Sequence, residues 1–169
     1  MTNFQNIKSK IYSLTDLVER LKTWRKSGEK IVFTNGCFDL VHRGHVEMLA
    51  NTADLGDRLV IGLNTDISIK NLKGENRPVV DEYSRSILLA SLQFTDAIVL
   101  FSENTPQKII ETIIPDVLAK GGDYNLEEIA GYDVVTQNGG DVIRVPFIDG
   151  YSTSNICLLY TSPSPRDLL

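Results

Sequence analysis

The chain has 169 residues, 42% of them hydrophobic, enough to bury one sizeable core and too few for two. Its 22 acidic against 17 basic side chains give a formal charge of −5 with no long basic run, which excludes an extended nucleic-acid groove and makes any phosphate site local. The two cysteines, Cys37 and Cys157, form no CxxC frame, the amino-terminal stretch lacks a secretory apolar core, and no run approaches the ~18 apolar residues of a membrane span, so a cytoplasmic protein without membrane contact is expected.

In chain order, Leu14, Leu17, Val18, Leu21 and Trp24 recur at helical spacing, with Ser13 placed as N-cap and Gly28 just beyond the end. The β-branched run from Lys30 to Asn35 reads as a buried strand stopping at Gly36, and Val46 to Leu55 as a helix closed by Gly56. A strand follows over Arg58–Asn64, then a loop over Thr65–Val80, and a helix from Glu82 to Gln93 capped by Asp81. Next come a strand over Ala97–Phe101, a helix from Pro106 capped by Thr105, and a strand over Val117–Lys120. Asp133–Asn138 reads as one more helix, ended by Gly139-Gly140 before a strand over Asp141–Val145.

Strands that alternate with helices imply right-handed crossovers, and hence an α/β, doubly wound, Rossmann-like sheet of five parallel strands with helices on both faces in a single domain. We divide the chain into a leading segment and helix over 1–29, a principal domain over 30–156, and an atypical tail over 157–169. Ser162-Pro-Ser-Pro165 cannot continue a helix and carries no apolar period, so the tail is expected to be disordered or foreign and is set aside for the fold.

Open sheets of this kind bind ligands beyond the carboxyl ends of their strands, so the polar segments after the strands are the ones that matter. His42-Arg43-Gly44-His45 follows the first of these strands and opens a helix, where two imidazoles can face one way, Gly44 admits a ligand to the backbone, and unpaired N–H groups attract an anion. A phosphate cradle is the reading this supports, with the imidazole donors stabilising charge on a departing pyrophosphate. A helix cap or buried polar role for either histidine, and a zinc site with Cys37, remain alternatives at this stage. Lys73 and Arg77 lie in a Gly- and Pro-bearing loop, where a lysine supplies a movable point charge and an arginine a two-pronged fork. Gly121, Gly122 and Asp123 follow a strand, and glycine there would let a flat base lie against the backbone or would simply serve a turn. Ser152, Thr153 and Ser154 precede an expected last helix and offer hydroxyls to an anion or a cap.

The run Thr34-Asn-Gly-Cys-Phe-Asp-Leu-Val-His-Arg-Gly-His45 resembles the signature of the HxGH cytidylyltransferase-like nucleotidyltransferases, and within them the heptose 1-phosphate adenylyltransferases. Supporting matches are Gly62-Leu-Asn-Thr-Asp66, Leu72-Lys-Gly-Glu-Asn-Arg-Pro78, Arg85, Lys120-Gly-Gly-Asp-Tyr124 and Gly150-Tyr-Ser-Thr-Ser154, and the likeness runs from about Leu14 to Ile156. It implies that His42, His45, Lys73 and Arg85 are catalytic, and that Asn64, Asp66 and Arg77 bind the acceptor. It likewise implies that Asn35, Gly36, Cys37, Phe38, Asp39, Gly44, Gly121, Asp123, Tyr151, Ser152, Thr153 and Ser154 hold the nucleotide. Ser154 stands where that pattern has a second threonine, and the helix expected after Ile156 is replaced by Cys-Leu-Leu-Tyr-Thr-Ser-Pro-Ser-Pro.

The implied reaction transfers AMP from ATP to D-glycero-β-D-manno-heptose 1-phosphate with Mg²⁺, Asp39 and Asp123 being the carboxylates considered near the ion, and the implied assembly is a homodimer. CTP-dependent transfer to glycerol 3-phosphate and a nucleotide-binding regulator without turnover are the alternatives. The 13 residues before Leu14 cannot hold the kinase half that such enzymes can carry, so a stand-alone second-step enzyme or a piece of a bifunctional one is expected.

Overall fold

The structure is a computed structural model that describes residues 1–147 together with Gly150, Ser152 and Ile156. Its elements are α1 (Asn3–Lys8), β1 (Ile11–Tyr12), α2 (Leu14–Lys26), β2 (Ile31–Gly36), α3 (Arg43–Ala53), β3 (Arg58–Asn64) and α4 (Asp66–Lys73). There follow α5 (Glu82–Ala90), β4 (Ala97–Phe101), α6 (Gln107–Ile113), β5 (Val117–Gly121), a 3₁₀ turn at Leu126–Glu128, α7 (Tyr132–Gln137) and β6 (Asp141–Val145).

All strand pairings are parallel, in the order β1-β4-β3-β2-β5-β6, which is a doubly wound α/β sheet. It has six strands rather than the expected five, because Ile11 and Tyr12 pair with Ile98 and Val99 at the edge. Two residues are too few to show a period, so this strand is visible only through its partner. The order reverses between β2 and β5, and there the carboxyl ends of the two strands open a crevice.

Alternation along each strand builds two cores. Ile31, Phe33, Val60, Val99 and Leu118 face one layer with Leu17, Leu21 and Trp24 of α2 and the isoleucines of α6. Val32, Leu59, Ile61, Ile98 and Ala119 face the other with Met48 and Leu49 of α3 and Leu89 of α5. Each fully buried aliphatic side chain of this kind stabilises by roughly 1.5–3 kcal/mol relative to its exposure.

Several expected boundaries move. The segment expected as a loop after β3 contains α4, capped by the Thr65 side chain, which accepts from the Ser68 amide; Ile69 is buried but Ile67 and Leu72 are exposed, so no apolar stripe advertises the helix. Helix α3 begins at Arg43 instead of Val46, and α5 ends at Ala90 instead of Gln93. Pro106, not Thr105, occupies the N-cap of α6, and no side chain caps that end. The cap predicted at Ser13 and that at Asp81 form, each accepting from the amide three residues on. Helix α1 and the 3₁₀ turn were not expected, since neither carries a buried apolar face.

Candidate active site

Strand β2 delivers Asn35 and Gly36 to the crevice, and the chain then folds back through Cys37–Val41 before α3 begins. Phe38 has φ of 45° and its ring is buried; the ring packs edge-on to His45 with centroids 5.3 Å apart. A β-carbon on Gly36 would lie 2.9 Å from that ring, so glycine is what lets the loop close on itself. Asp39 is buried beside it and accepts from the amides of Val79 (2.8 Å) and Val80 (3.0 Å) through one oxygen and from Arg77 (2.9 Å) through the other.

His42 is the N-cap residue of α3 and His45 lies in its first turn, their rings stacked 3.9 Å apart at 25°. The His42 amide donates to His45 Nδ1 at 3.4 Å, a long contact. Burial, the neighbouring His42, and Lys73 all disfavour a charged His45; together they outweigh a hydrogen bond to the Leu40 carbonyl, and its pKa is pushed down to about 4. Burial lowers His42 as well. At neutral pH both rings are therefore uncharged, and they bring hydrogen-bond donors to the helix N-terminus without bringing charge.

Asn35, Gly36, Cys37, Phe38, Asp39, His45, Lys73 and Gly121 line one cleft of about 310 Å³, as the sequence led us to expect. The rest of the expected set divides between the layer beneath and the rim. Arg85 is wholly buried: Nε donates to the Val80 carbonyl, one terminal nitrogen to the carbonyls of Cys37 (2.7 Å) and Asn64 (2.8 Å), and the other to Asp66 (2.7 Å). It holds the loop, β3 and α5 together from below instead of facing the cleft. Asn64 is buried with its amide on the Ser68 hydroxyl (2.9 Å), whereas Asp66 and Arg77 are partly exposed, the first engaged by Arg85 and the second by Asp39, and none of these three expected acceptor ligands lines the cleft. Gly44 is buried in α3. Asp123 lies in an adjoining hollow with Gly122 and Arg144, 3.3 Å from the latter and fully exposed. Tyr151, Thr153 and Ser154 lie outside the described residues, as do Cys157 and the tail; Ser152 is described, and its carbonyl accepts from the Ile156 amide at 3.2 Å.

Lys120, Met48, Tyr124 and Phe147 line the cleft too; none was singled out as a site residue, although Lys120, Tyr124 and Phe147 fall in segments that follow strands. Lys120 and Tyr124 belong to a quoted motif; a lysine ending an apolar parallel strand is the signal that points to it. Phe147 carries only its place just after β6, and it enters the site by the packing of β6 on β5. The rings of Phe147 and Tyr124 fill the space expected for a base over the two glycines: a β-carbon on Gly121 would lie 2.9 Å from Phe147, and one on Gly122 2.9 Å from both rings.

Neither carboxylate considered for Mg²⁺ suits direct ligation, since both oxygens of Asp39 already accept protein hydrogens and Asp123 stands isolated beside Arg144. Among the described residues no group of three or more His, Cys, Asp or Glu converges as a metal cage, so Cys37, His42 and His45 make no zinc site.

Residues 33–157 match the cytidylyltransferase-like family. The bifunctional protein HldE of Citrifermentans bemidjiense is 51% identical over 148 residues, 88% of this chain and 30% of its own length. That of Actinobacillus succinogenes is 52% identical over 146 residues, 86% of this chain and 31% of its own length. The chain thus spans about 30% of the length of the curated relatives it matches. Among solved structures, the lipopolysaccharide core biosynthesis protein from Thermoplasma volcanium GSS1 superimposes with a TM-score of 0.62 at 29% identity, over 72% of this chain and all of that one.

Proposed function

The chain belongs to the cytidylyltransferase-like family, and from that membership and the geometry of its cleft we propose that it transfers AMP from ATP to D-glycero-β-D-manno-heptose 1-phosphate, releasing pyrophosphate. The observation that carries the reading is the stacked, uncharged His42–His45 pair at the N-terminus of α3, with His45 lining the cleft at the point where the strand order reverses. Donors fixed there meet the α-phosphate and the bridging oxygen, where negative charge grows as the bond breaks.

An oxygen of the acceptor phosphate attacks the α-phosphorus, forming the new O–P bond. The bond from that phosphorus to the bridging oxygen breaks, and pyrophosphate leaves with the electron pair. The attacking phosphate is already a nucleophile, so no enzyme-bound covalent intermediate is needed and positioning with charge neutralisation does the chemistry. Lys73 lies close enough to His45 to depress its pKa and supplies positive charge on that side of the cleft. Mg²⁺ bound to the triphosphate would supply shielding of phosphate charge, and among the described residues no cage of side chains stands ready to hold it.

The sugar-phosphate acceptor draws support from the HldE relatives and from the lipopolysaccharide core protein that shares the fold. Among the described residues no helix is long and apolar enough to cross a membrane. We also propose a homodimer, supported by the exposed Ile67, Leu72, Val79, Tyr83 and Leu88 on and between α4 and α5.

The test is pyrophosphate release by the full chain with ATP or CTP, each offered heptose 1-phosphate or glycerol 3-phosphate. Release with ATP and the heptose alone is expected. Release with CTP moves the substrate assignment to a cytidylyltransferase, and ATP binding without release from any pair leaves a nucleotide-binding regulator.

A further inference from the structure

Strands β2 and β5 part at the centre of the sheet, and Asn35 and Lys120 stand near their carboxyl ends on the two sides of the gap. Lys120 Nζ lies 3.5 Å from Asn35 Oδ1, the outer limit of a hydrogen bond, and none of the ion pairs among the described residues includes it. An ammonium on a half-buried floor, held by one weak amide contact, has given up water without gaining an equivalent partner.

The other cationic groups around the cleft are committed or uncharged. Arg85 is buried on three carbonyls and Asp66, Arg77 is paired with Asp39, and the histidines are neutral. Among the described residues two ammonium groups remain on the cleft surface, Lys73 from the β3 side and Lys120 from the β5 side. Lys73 adjoins the histidine pair and therefore the triphosphate. The reaction brings a second anion against the first, and without a cation on the approach side the two phosphates repel.

We propose that Lys120 binds the phosphate of the acceptor and aims its attacking oxygen at the α-phosphorus. The assignment rests on the nucleotidyl-transfer reading and gives the acceptor a ligand that the expected trio of Asn64, Asp66 and Arg77 does not supply in the cleft. A lysine suits the task because a compact charge with three rotatable donors can follow the phosphate as the new O–P bond forms. Burial holds the Lys120 amine below its ordinary value, with Cys37 acting in the opposite sense, and an arriving dianion favours the charged form.

The test uses the full chain with Lys120→Met and Lys120→Arg, measuring KM for heptose 1-phosphate, kcat, and the Kd of ATP alone by equilibrium dialysis. Loss of one charge-assisted contact predicts that Lys120→Met raises the acceptor KM by about tenfold to a hundredfold while the ATP Kd shifts by less than about threefold, with partial recovery in Lys120→Arg. A rise in the ATP Kd with the acceptor KM unchanged overturns the assignment, as does a change in neither constant. A rise in both with a lowered melting temperature also overturns it, by making Lys120 structural. Should the wild-type chain turn over no acceptor, the transfer reading fails first, and calorimetric titration with heptose 1-phosphate decides the residue: binding lost in Lys120→Met supports it, and equal or undetectable binding in both chains overturns it.

Discussion

His45 illustrates how a residue's surroundings choose its chemistry. With a folded pKa of about 4 against the ordinary 6.5, it donates hydrogen bonds through the whole physiological range without carrying charge. Removing such a donor to developing charge costs roughly a hundredfold to a thousandfold in turnover, so His45→Ala is expected to lose that much kcat with its far-UV circular dichroism unchanged; a variant within a factor of a few of wild type would remove the ring from the reaction. Arg85 behaves differently, because its guanidinium satisfies three backbone carbonyls and Asp66 and never reaches the cleft. Arg85→Met leaves those acceptors buried and unpaired, at a cost of about 3–5 kcal/mol by the usual penalty for breaking a buried pair. Urea unfolding measures it, and lost activity with undiminished stability would show instead that the side chain reaches substrate. The residue types at both positions were legible as phosphate chemistry; which one touches the cleft was not, since a positive charge reads the same above or below a strand end.

At the scale of elements, the loop after β2 and the segment after α4 are one unit, tied by Asp39 to Arg77, Val79 and Val80. Asp39→Ala frees three donors at once and is expected to raise the KM for ATP while making the 74–80 segment readily cut by a protease, which limited proteolysis followed by mass spectrometry reports. Unaltered cleavage would mean that the tie does not hold the segment. Across the crevice, a methyl at Gly121 would sit 2.9 Å from Phe147, so Gly121→Ala must push that ring and narrow the cleft. Weaker ATP binding with only a small change in melting temperature is the expected result, and unchanged binding would place the nucleotide away from the β5 end. Helix α4 was invisible as an element because a single buried apolar residue, Ile69, makes no stripe, whereas α2 was plain from five apolar positions on one face.

For the whole molecule, the depressed pKa of His45 makes stability depend on pH in a definite direction. Below about pH 6.5 the unfolded chain takes up a proton that the folded chain refuses until about pH 4. The contribution is complete above 6.5, declines as pH falls toward 4, and is level below that. Urea midpoints at pH 7, 5.5 and 4.5 should therefore fall more steeply for wild type than for His45→Asn, and parallel curves would remove the linkage. The proposed dimer also belongs to this scale: Ile67→Asp is expected to lower the sedimentation mass of the full chain, and a wild-type chain that sediments as a monomer would dispose of the proposal.

What the sequence determined by itself was the alternation of β2 to β6 with α2, α3, α5, α6 and α7, because apolar strand runs and helical periods of three to four residues are local properties that packing then obeys. The cradle at His42–His45 was equally local, since a strand, a turn and a helix start lie within one stretch of chain. Tertiary structure alone decided the edge strand Ile11–Tyr12, which exists only against β4, and the division of the basic residues into those facing the cleft and those beneath it. It also brought Lys120 opposite Asn35 and laid Phe147 over Gly121, contacts between residues that are 85 and 26 positions apart. No local period encodes which strands become neighbours at a reversal of strand order, and that reversal is where the cleft is made.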